Sequence, residues 1–218
     1  ESIVAEGLGD KIKDVFVATK VLARSYDKAK RELEGSLERL GKVDLVQLHS
    51  VDTTDVLDLV LSGRGAIKAV EELRDQGVIK YIGVTNHFDP KVLEEAISRF
   101  LFDSVMMPLG IINAVANSFE YLLGQLNKQG AATVGILVFG NDKMEPMAEK
   151  ALRYSLSLPV SVIIAGAKSV EELEKDIQIV QELKPLNESE VQELKAFVLD
   201  IFKTETPWWF RGPVGIRE

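Results

Sequence analysis

The sequence contains no cysteine and only two histidines, His49 and His87. Without thiols there is no disulfide, no thiolate nucleophile and no cysteine-held iron–sulfur cluster. Two histidines are too few for a His-rich metal site, so no metal is expected. Positive charge is scarce as well: 26 Lys and Arg stand against 34 Asp and Glu, a net charge of −8. That sign repels a phosphate backbone, and no nucleic-acid partner is expected. No apolar run approaches the roughly 20 residues of a membrane-spanning helix, and the first residues, Glu1 to Glu6, have neither the basic nor the apolar region of a signal peptide. The expected location is cytoplasmic, with no membrane partner. No Gly-x-Gly-x-x-Gly fingerprint follows any apolar run, which weakens a doubly wound dinucleotide fold.

What is present is regular. The 218 residues are 46% hydrophobic and 28% charged, ordinary values for one domain with a sizeable core. Short β-branched apolar runs at 15–20, 43–48, 81–85, 104–108, 133–138 and 160–165 alternate with helical stretches. Runs apolar on both faces are the mark of parallel strands covered by helices. Ala29, Leu33, Leu37 and Leu40 share one helix face, with Gly41 as the stop. Asp89-Pro90 is an N-cap followed by proline at the first helical position. Ser169 and Glu172, and again Asn187 and Glu190, have capping-box spacing, and the last helix is predicted to run to about Phe202. Residues 1 to about 9 read as the tail of a helix, and Ser50 to about Gly65 as a polar loop. Apart from a longer gap between Val43 and Tyr81, strand starts recur at a roughly regular spacing, which favours a (β/α)₈ TIM barrel. Only six strands are found, so about the first two strands are expected to lie outside this chain. The chain opens on Glu and is expected to begin inside a longer protein. Residues 1–218 are expected to form a single, partial TIM-barrel domain, with 204–218 as an aromatic tail containing Trp208, Trp209 and Phe210.

In such a barrel, function gathers at the carboxyl ends of the strands. Those ends carry Lys20, His49, Thr85-Asn86, Met106 to Pro108, Val138 to Gly140 and Gly166 to Ser169. A lysine after a buried run can stabilise an oxyanion or lower the pKa of a neighbouring acid. A histidine there can polarise a carbonyl or relay a proton. The plainer alternatives are a solvated lysine and a structural histidine. His87 reads as a loop residue. Lys168, with Ser169 capping a helix, makes an anion site; the alternative is an ordinary cap beside a solvated lysine.

These motifs together resemble the aldo-keto reductase family over essentially the whole chain. Phe16-Val17-Ala18-Thr19-Lys20 is similar to the strand presenting the catalytic lysine, and Val43-Asp44-Leu45-Val46-Gln47-Leu48-His49-Ser50 to the strand presenting the catalytic histidine. Gly77 to His87 is similar to the strand whose hydroxyl and amide, here Thr85 and Asn86, hold the nicotinamide carboxamide. Gly166-Ala167-Lys168-Ser169 is similar to the turn that meets the adenosine 2′-phosphate. The resemblance implies reduction of aldehydes or ketones, small-molecule carbonyl substrates, by NADPH, with NADH as a second candidate. Lys20 and His49 would be catalytic; Thr85, Asn86, Met106, Phe139, Gly166, Lys168 and Ser169 would bind the cofactor.

The pattern also departs from the family. Its general acid is a tyrosine tuned by an aspartate and the lysine, and the resemblance places both before Glu1. None of Tyr26, Tyr81, Tyr121 or Tyr154 takes that place. Met106 stands where relatives have a glutamine, and 136–139 replaces a strand end that often offers an aromatic platform or a lysine. The 218-residue chain is therefore expected to be inactive alone, and to self-associate or pair with a missing amino-terminal segment. Two other readings remain: a barrel that binds nucleotide or a partner without turnover, and an aldolase-like enzyme using Lys20 for a Schiff base.

Overall fold

The structure is a computed structural model that describes residues 1–207. The tail 208–218, including Trp208, Trp209, Phe210 and Arg211, lies outside the described residues. Two compact units are resolved by internal packing, Glu1–Val105 and a second that begins at Met106. Six strands follow one another in chain order through the sheet.

The first unit opens with α1 (Ser2–Leu8) and a 3₁₀ turn, Gly9–Asp14. Then come β1 (Ala18–Val21), α2 (Tyr26–Leu40), β2 (Leu45–Leu48), α3 (Thr54–Leu61), α4 (Ala66–Asp75), β3 (Tyr81–Thr85) and α5 (Pro90–Arg99). Strands β1, β2 and β3 pair in parallel, with Lys20 opposite Gln47 and Leu48 opposite Val84. All four residues of β2 are buried, as expected of a parallel strand covered on both faces. Gly83 must be glycine: a Cβ there would sit 2.8 Å from both the Gln47 side chain and the Ser104 carbonyl. Two carboxylates tie the amino ends of the strands. Asp44 accepts from the Val17 N–H at 2.9 Å, and Asp103 from the Ile82 N–H at 2.8 Å. Helix α2 ends as its sequence indicates, with Gly41 at φ 68° donating to the Leu37 carbonyl.

The division falls within β4 (Ser104–Pro108), and the second unit continues through α6 (Ile111–Ala116), α7 (Leu123–Gln129), β5 (Ala132–Ile136), α8 (Ala148–Leu156), β6 (Val162–Ile163), α9 (Val170–Gln181) and α10 (Glu188–Thr204). β5 and β6 pair in parallel. The capping box at Asn187 and Glu190 is closed in both directions.

Several boundaries differ from those read in the sequence. Val15 and Phe16 lie before β1 and are exposed, because β1 ends the strand order and has a neighbour on one side only. β5 stops at Ile136, where Leu137 turns to φ 59°. The stretch taken as a polar loop contains α3: Thr53 caps it by accepting from the Val56 N–H, and Val56, Leu57 and Val60 are buried.

α9 is inverted in its polarity. Val170, Leu173, Ile177 and Val180, spaced three and four apart along one stripe, are 66%, 50%, 46% and 51% exposed, while Asp176 and Ile179 on another side are half-buried. With Val162 and Ile164 also exposed on and beside β6, this unit leaves apolar side chains uncovered on α9 and at β6, the kind of surface that self-associates or is covered by another chain. The isolated chain should therefore show concentration-dependent association by sedimentation and bind a hydrophobic dye. Leu173→Lys with Ile177→Lys should suppress both, while changing stability by no more than about 0.5 kcal/mol per site, as is usual at exposed positions. Unchanged association in the double variant would show that this face is not involved.

Candidate active site

The carboxyl ends of β1, β2 and β3 bring one group of ionisable side chains together. Lys20 is the third residue of β1 and half-buried. His49 follows β2 and its N–H donates to the Val21 carbonyl at 2.9 Å. His87 follows β3, and its ring meets that of His49 edge-on with centroids 5.8 Å apart. Asp52 and Arg24 complete the group.

Burial and like charge set the protonation of these groups. Burial lowers the pKa of Lys20. His49 is lowered by burial, then by Lys20 and Arg24. Burial, His49 and Lys20 push His87 down to about 4. Asp52 goes the other way: burial raises it to about 6, against the His87 N–H, Arg24, the Ser50 hydroxyl and the Phe88 N–H, which lower it. Both imidazoles are therefore neutral at pH 7, able to donate a hydrogen bond without carrying charge.

The turn that carries His49 is held from outside at every backbone polar group. Ser50 has φ 51°, a left-handed conformation unusual for a non-glycine residue. Arg24 donates to the His49 carbonyl at 2.5 Å and to the Ser50 carbonyl at 2.9 Å. The Ser50 N–H donates to Thr85 Oγ1 at 2.8 Å, and the Val51 N–H to the Thr85 carbonyl at 2.8 Å. Asn86 Nδ2 donates to the Val51 carbonyl at 2.6 Å, while Asn86 Oδ1 accepts from the Phe88 and Asp89 N–H groups. Thr85 and Asn86 are fully buried, so these contacts occupy the two side chains read as carboxamide ligands. The Ser50 hydroxyl lies 3.2 Å from His87 Nδ1, and the His87 N–H donates to Asp52 at 2.6 Å.

In the second unit, Met106 is buried within β4. Phe139, Gly166 and Lys168 line one cleft together with Asp142, Glu145, Glu149, Glu172, Lys175 and Asp176. Lys168 pairs with Asp142 at 2.9 Å, and this carboxylate raises its pKa. Ser169 caps α9 by accepting from the Glu172 N–H at 3.2 Å, and the Glu172 carboxylate accepts from the Lys168 N–H at 2.7 Å. The anion site read from the sequence thus already holds acids of the chain itself. Gly166 leaves open space where a Cβ would stand.

The tyrosines lie elsewhere. Tyr26 begins α2 and bonds Glu72, Tyr154 on α8 donates to Glu120 at 2.6 Å, and Tyr81 is the first residue of β3, at its amino end. Tyr121 lies in the 3₁₀ turn Glu120–Leu122. Arg24, Ser50 and Asp52 were not singled out in the sequence, and His87 was read as a loop residue. Asp52 sits three residues after His49, a signal that periodicity could not weigh because it falls beyond the strand.

Residues 1–134 match the family model described as Aldo/keto reductase family. The uncharacterized oxidoreductase YqkF of Bacillus subtilis is 26% identical, over 93% of this chain and 80% of that protein. Aldo-keto reductase AKR11C1 from Bacillus halodurans, in its holo form, superposes with a TM-score of 0.71 at 25% identity, covering 90% of this chain and 77% of that one. A Bombyx mori aldo-keto reductase (AKR2E4) in complex with NADP shares the fold with a TM-score of 0.61 at 18% identity, covering 94% and 78%.

The shifts of His87 and Asp52 make opposing contributions to stability. His87 is near 4 when folded against an ordinary 6.5, so the native state binds fewer protons and destabilisation grows as pH falls from 6.5 to 4. Asp52 is near 6 against an ordinary 3.8, so its burial penalty is absent below 3.8 and complete above 6. Each displacement corresponds to roughly 3 kcal/mol. Denaturation midpoints should be compared between pH 4 and 6, the window that separates the two displaced values, with the parent chain as reference. Asp52→Asn should lose stability as pH falls through that window, and His87→Gln should gain it. Parallel profiles for all three proteins would contradict the assignment.

Proposed function

The chain belongs to the aldo/keto reductase family, and on that premise we propose that it is an oxidoreductase reducing aldehydes or ketones to alcohols with NADPH, NADH serving less well. The observation that carries this reading is the placement of Lys20 and His49 on neighbouring parallel strands, at their carboxyl ends, half-buried and close enough for the lysine to depress the histidine. The nicotinamide, when bound, supplies hydride to the carbonyl carbon. Neutral His49 donates a hydrogen bond to the carbonyl oxygen, and Lys20 places positive charge where negative charge develops on that oxygen.

Thr85, Asn86 and Met106 are assigned to the nicotinamide carboxamide. For Thr85 and Asn86 this role is one of shaping the wall, since their polar atoms are used by the His49 turn. Phe139, Gly166, Lys168 and Ser169 are assigned to the adenosine 2′-phosphate end. The open space beside Gly166 and the ring of Phe139 suit an adenosine. The phosphate fits less well, because five carboxylates and two lysines line the cleft, and we expect a small preference for NADPH. Lys168→Ala should weaken NADPH by clearly less than the roughly tenfold loss of one full charge-assisted contact and spare NADH, because Asp142 already holds the lysine. Asp142→Asn should tighten NADPH by freeing that lysine. Equal effects on both cofactors, by fluorescence titration, would remove Lys168 from phosphate recognition.

No tyrosine among the described residues stands at the carboxyl end of β1, β2 or β3, so these strand ends offer the alkoxide no phenol as proton donor. General acid catalysis is typically worth 10²–10⁴-fold, and we expect no more than trace turnover from the 218-residue chain. Robust NADPH oxidation with a panel of aldehydes would overturn that. The lack of a tyrosine at these three strand ends also favours a second reading, a nucleotide-binding barrel without catalysis. Lys20→Met and His49→Ala decide between the two: both should lower the trace rate if it is enzymatic, and neither should if it is background.

A further inference from the structure

We infer that Arg24 is a positioning residue for His49, gripping the His49 and Ser50 carbonyls in its two guanidinium arms and so fixing the turn from which the imidazole projects. In a strand, successive carbonyls point to opposite sides. The left-handed φ of Ser50 turns the second carbonyl beside the first, and one planar fork then reaches both, at 2.5 and 2.9 Å. A planar guanidinium matches a pair of acceptors in a way a single ammonium cannot.

Arg24 is itself anchored on both flanks. Glu32 of α2 accepts from the Leu22 N–H at 3.0 Å and the Ala23 N–H at 2.9 Å. The Arg24 carbonyl accepts from Ala66 N–H at 2.9 Å at the start of α4, and Tyr26 N–H donates to the Arg64 carbonyl at 2.9 Å. The guanidinium is thus delivered from a fixed backbone rather than from the end of a free side chain. The charged and titratable groups around His49 are Lys20 from β1, Arg24 from the loop after it, Glu32 from α2 and His87 from the end of β3, with Asp52 acting on Arg24.

This rests on the reading that His49 acts on the substrate, but its test needs neither cofactor nor turnover. The protein has two histidines, so imidazole NMR spectra contain two sets of ring resonances, assigned with His49→Gln and His87→Gln. Arg24→Met removes the fork and a cation that opposes protonation, so the His49 titration midpoint should rise and its ring resonances should move, while His87, depressed by burial, His49 and Lys20 rather than by Arg24, stays low. Arg24→Lys keeps the charge and loses the fork; the ring resonances of His49 should still move while its midpoint stays near that of the parent chain. If Arg24→Lys leaves the His49 resonances unchanged, the fork does not position it. If both histidines move together to the ordinary range, the whole region has loosened and Arg24 is a general stabiliser, which also overturns the inference. A His49 response of the expected form in a chain whose trace turnover is unaffected by Lys20→Met and His49→Ala would sustain the positioning role and remove the proposed function.

Discussion

The carboxyl ends of the first three strands depend on one backbone conformation, the left-handed turn at Ser50. An L-residue pays roughly 1–2 kcal/mol to sit there. The bonds from Arg24, Thr85 and Asn86 offset this, at a net contribution of about 1 kcal/mol each and more where the guanidinium is involved. The turn lets a strand end in an imidazole and continue directly into Val51 and Asp52, which are buried, rather than into solvent. It also explains why Thr85 and Asn86 are inaccessible. They are the far wall of the same turn, and removing either would leave a backbone group of 50–51 without its partner.

The two ends of these strands treat charge in opposite ways. At the amino ends, Asp44 is buried, which raises its pKa, but the Val17 N–H, Lys42 and Lys80 outweigh burial and hold it below the ordinary value. That carboxylate is fully satisfied and structural. At the carboxyl ends the order is reversed: the bases Lys20, His49 and His87 are lowered and the acid Asp52 is raised. A fold gains nothing in stability from bases that are hard to protonate. Such displacement is characteristic of sites where chemistry needs neutral donors close to a cation, and it separates this end of the sheet from the other without reference to any relative.

Much of the frame was legible before the structure. Parallel strands, helix stops at Gly41 and caps at Asp89, Ser169 and Asn187 follow from local rules, and local rules hold where a residue answers mainly to its near neighbours. Lys20 and His49 were readable because they terminate apolar runs. Arg24 was not, since its partners are 25 and 26 residues away and nothing in its own neighbourhood marks it. The helix over Thr54–Leu61 was hidden because its flanks, Asp52-Thr53-Thr54-Asp55 and Ser62-Gly63, read as a loop, although five of its eight residues, Val56, Leu57, Leu59, Val60 and Leu61, are apolar. Lys168 looked like a free cation because Asp142 is distant in sequence.

That last pairing follows from an unusual turn. Leu137, Gly140, Asn141 and Asp142 all have positive φ, and three of these four are not glycine. Backbone bonds stitch the turn together, from Gly140 N–H to the Leu137 carbonyl, from Lys143 to Gly140, from Met144 to Phe139 and from Glu145 to Asp142. Its result is to hold Asp142 against Lys168. Were the lysine free, an incoming phosphate would gain the whole of a charge-assisted contact. With Asp142 in place, the phosphate gains only the difference between two ion pairs, both on a solvent-exposed side chain where such differences are small. Under the proposed function the strained turn would bear on cofactor choice: it would not exclude a 2′-phosphate, but would remove most of the advantage that Lys168 would otherwise give to one.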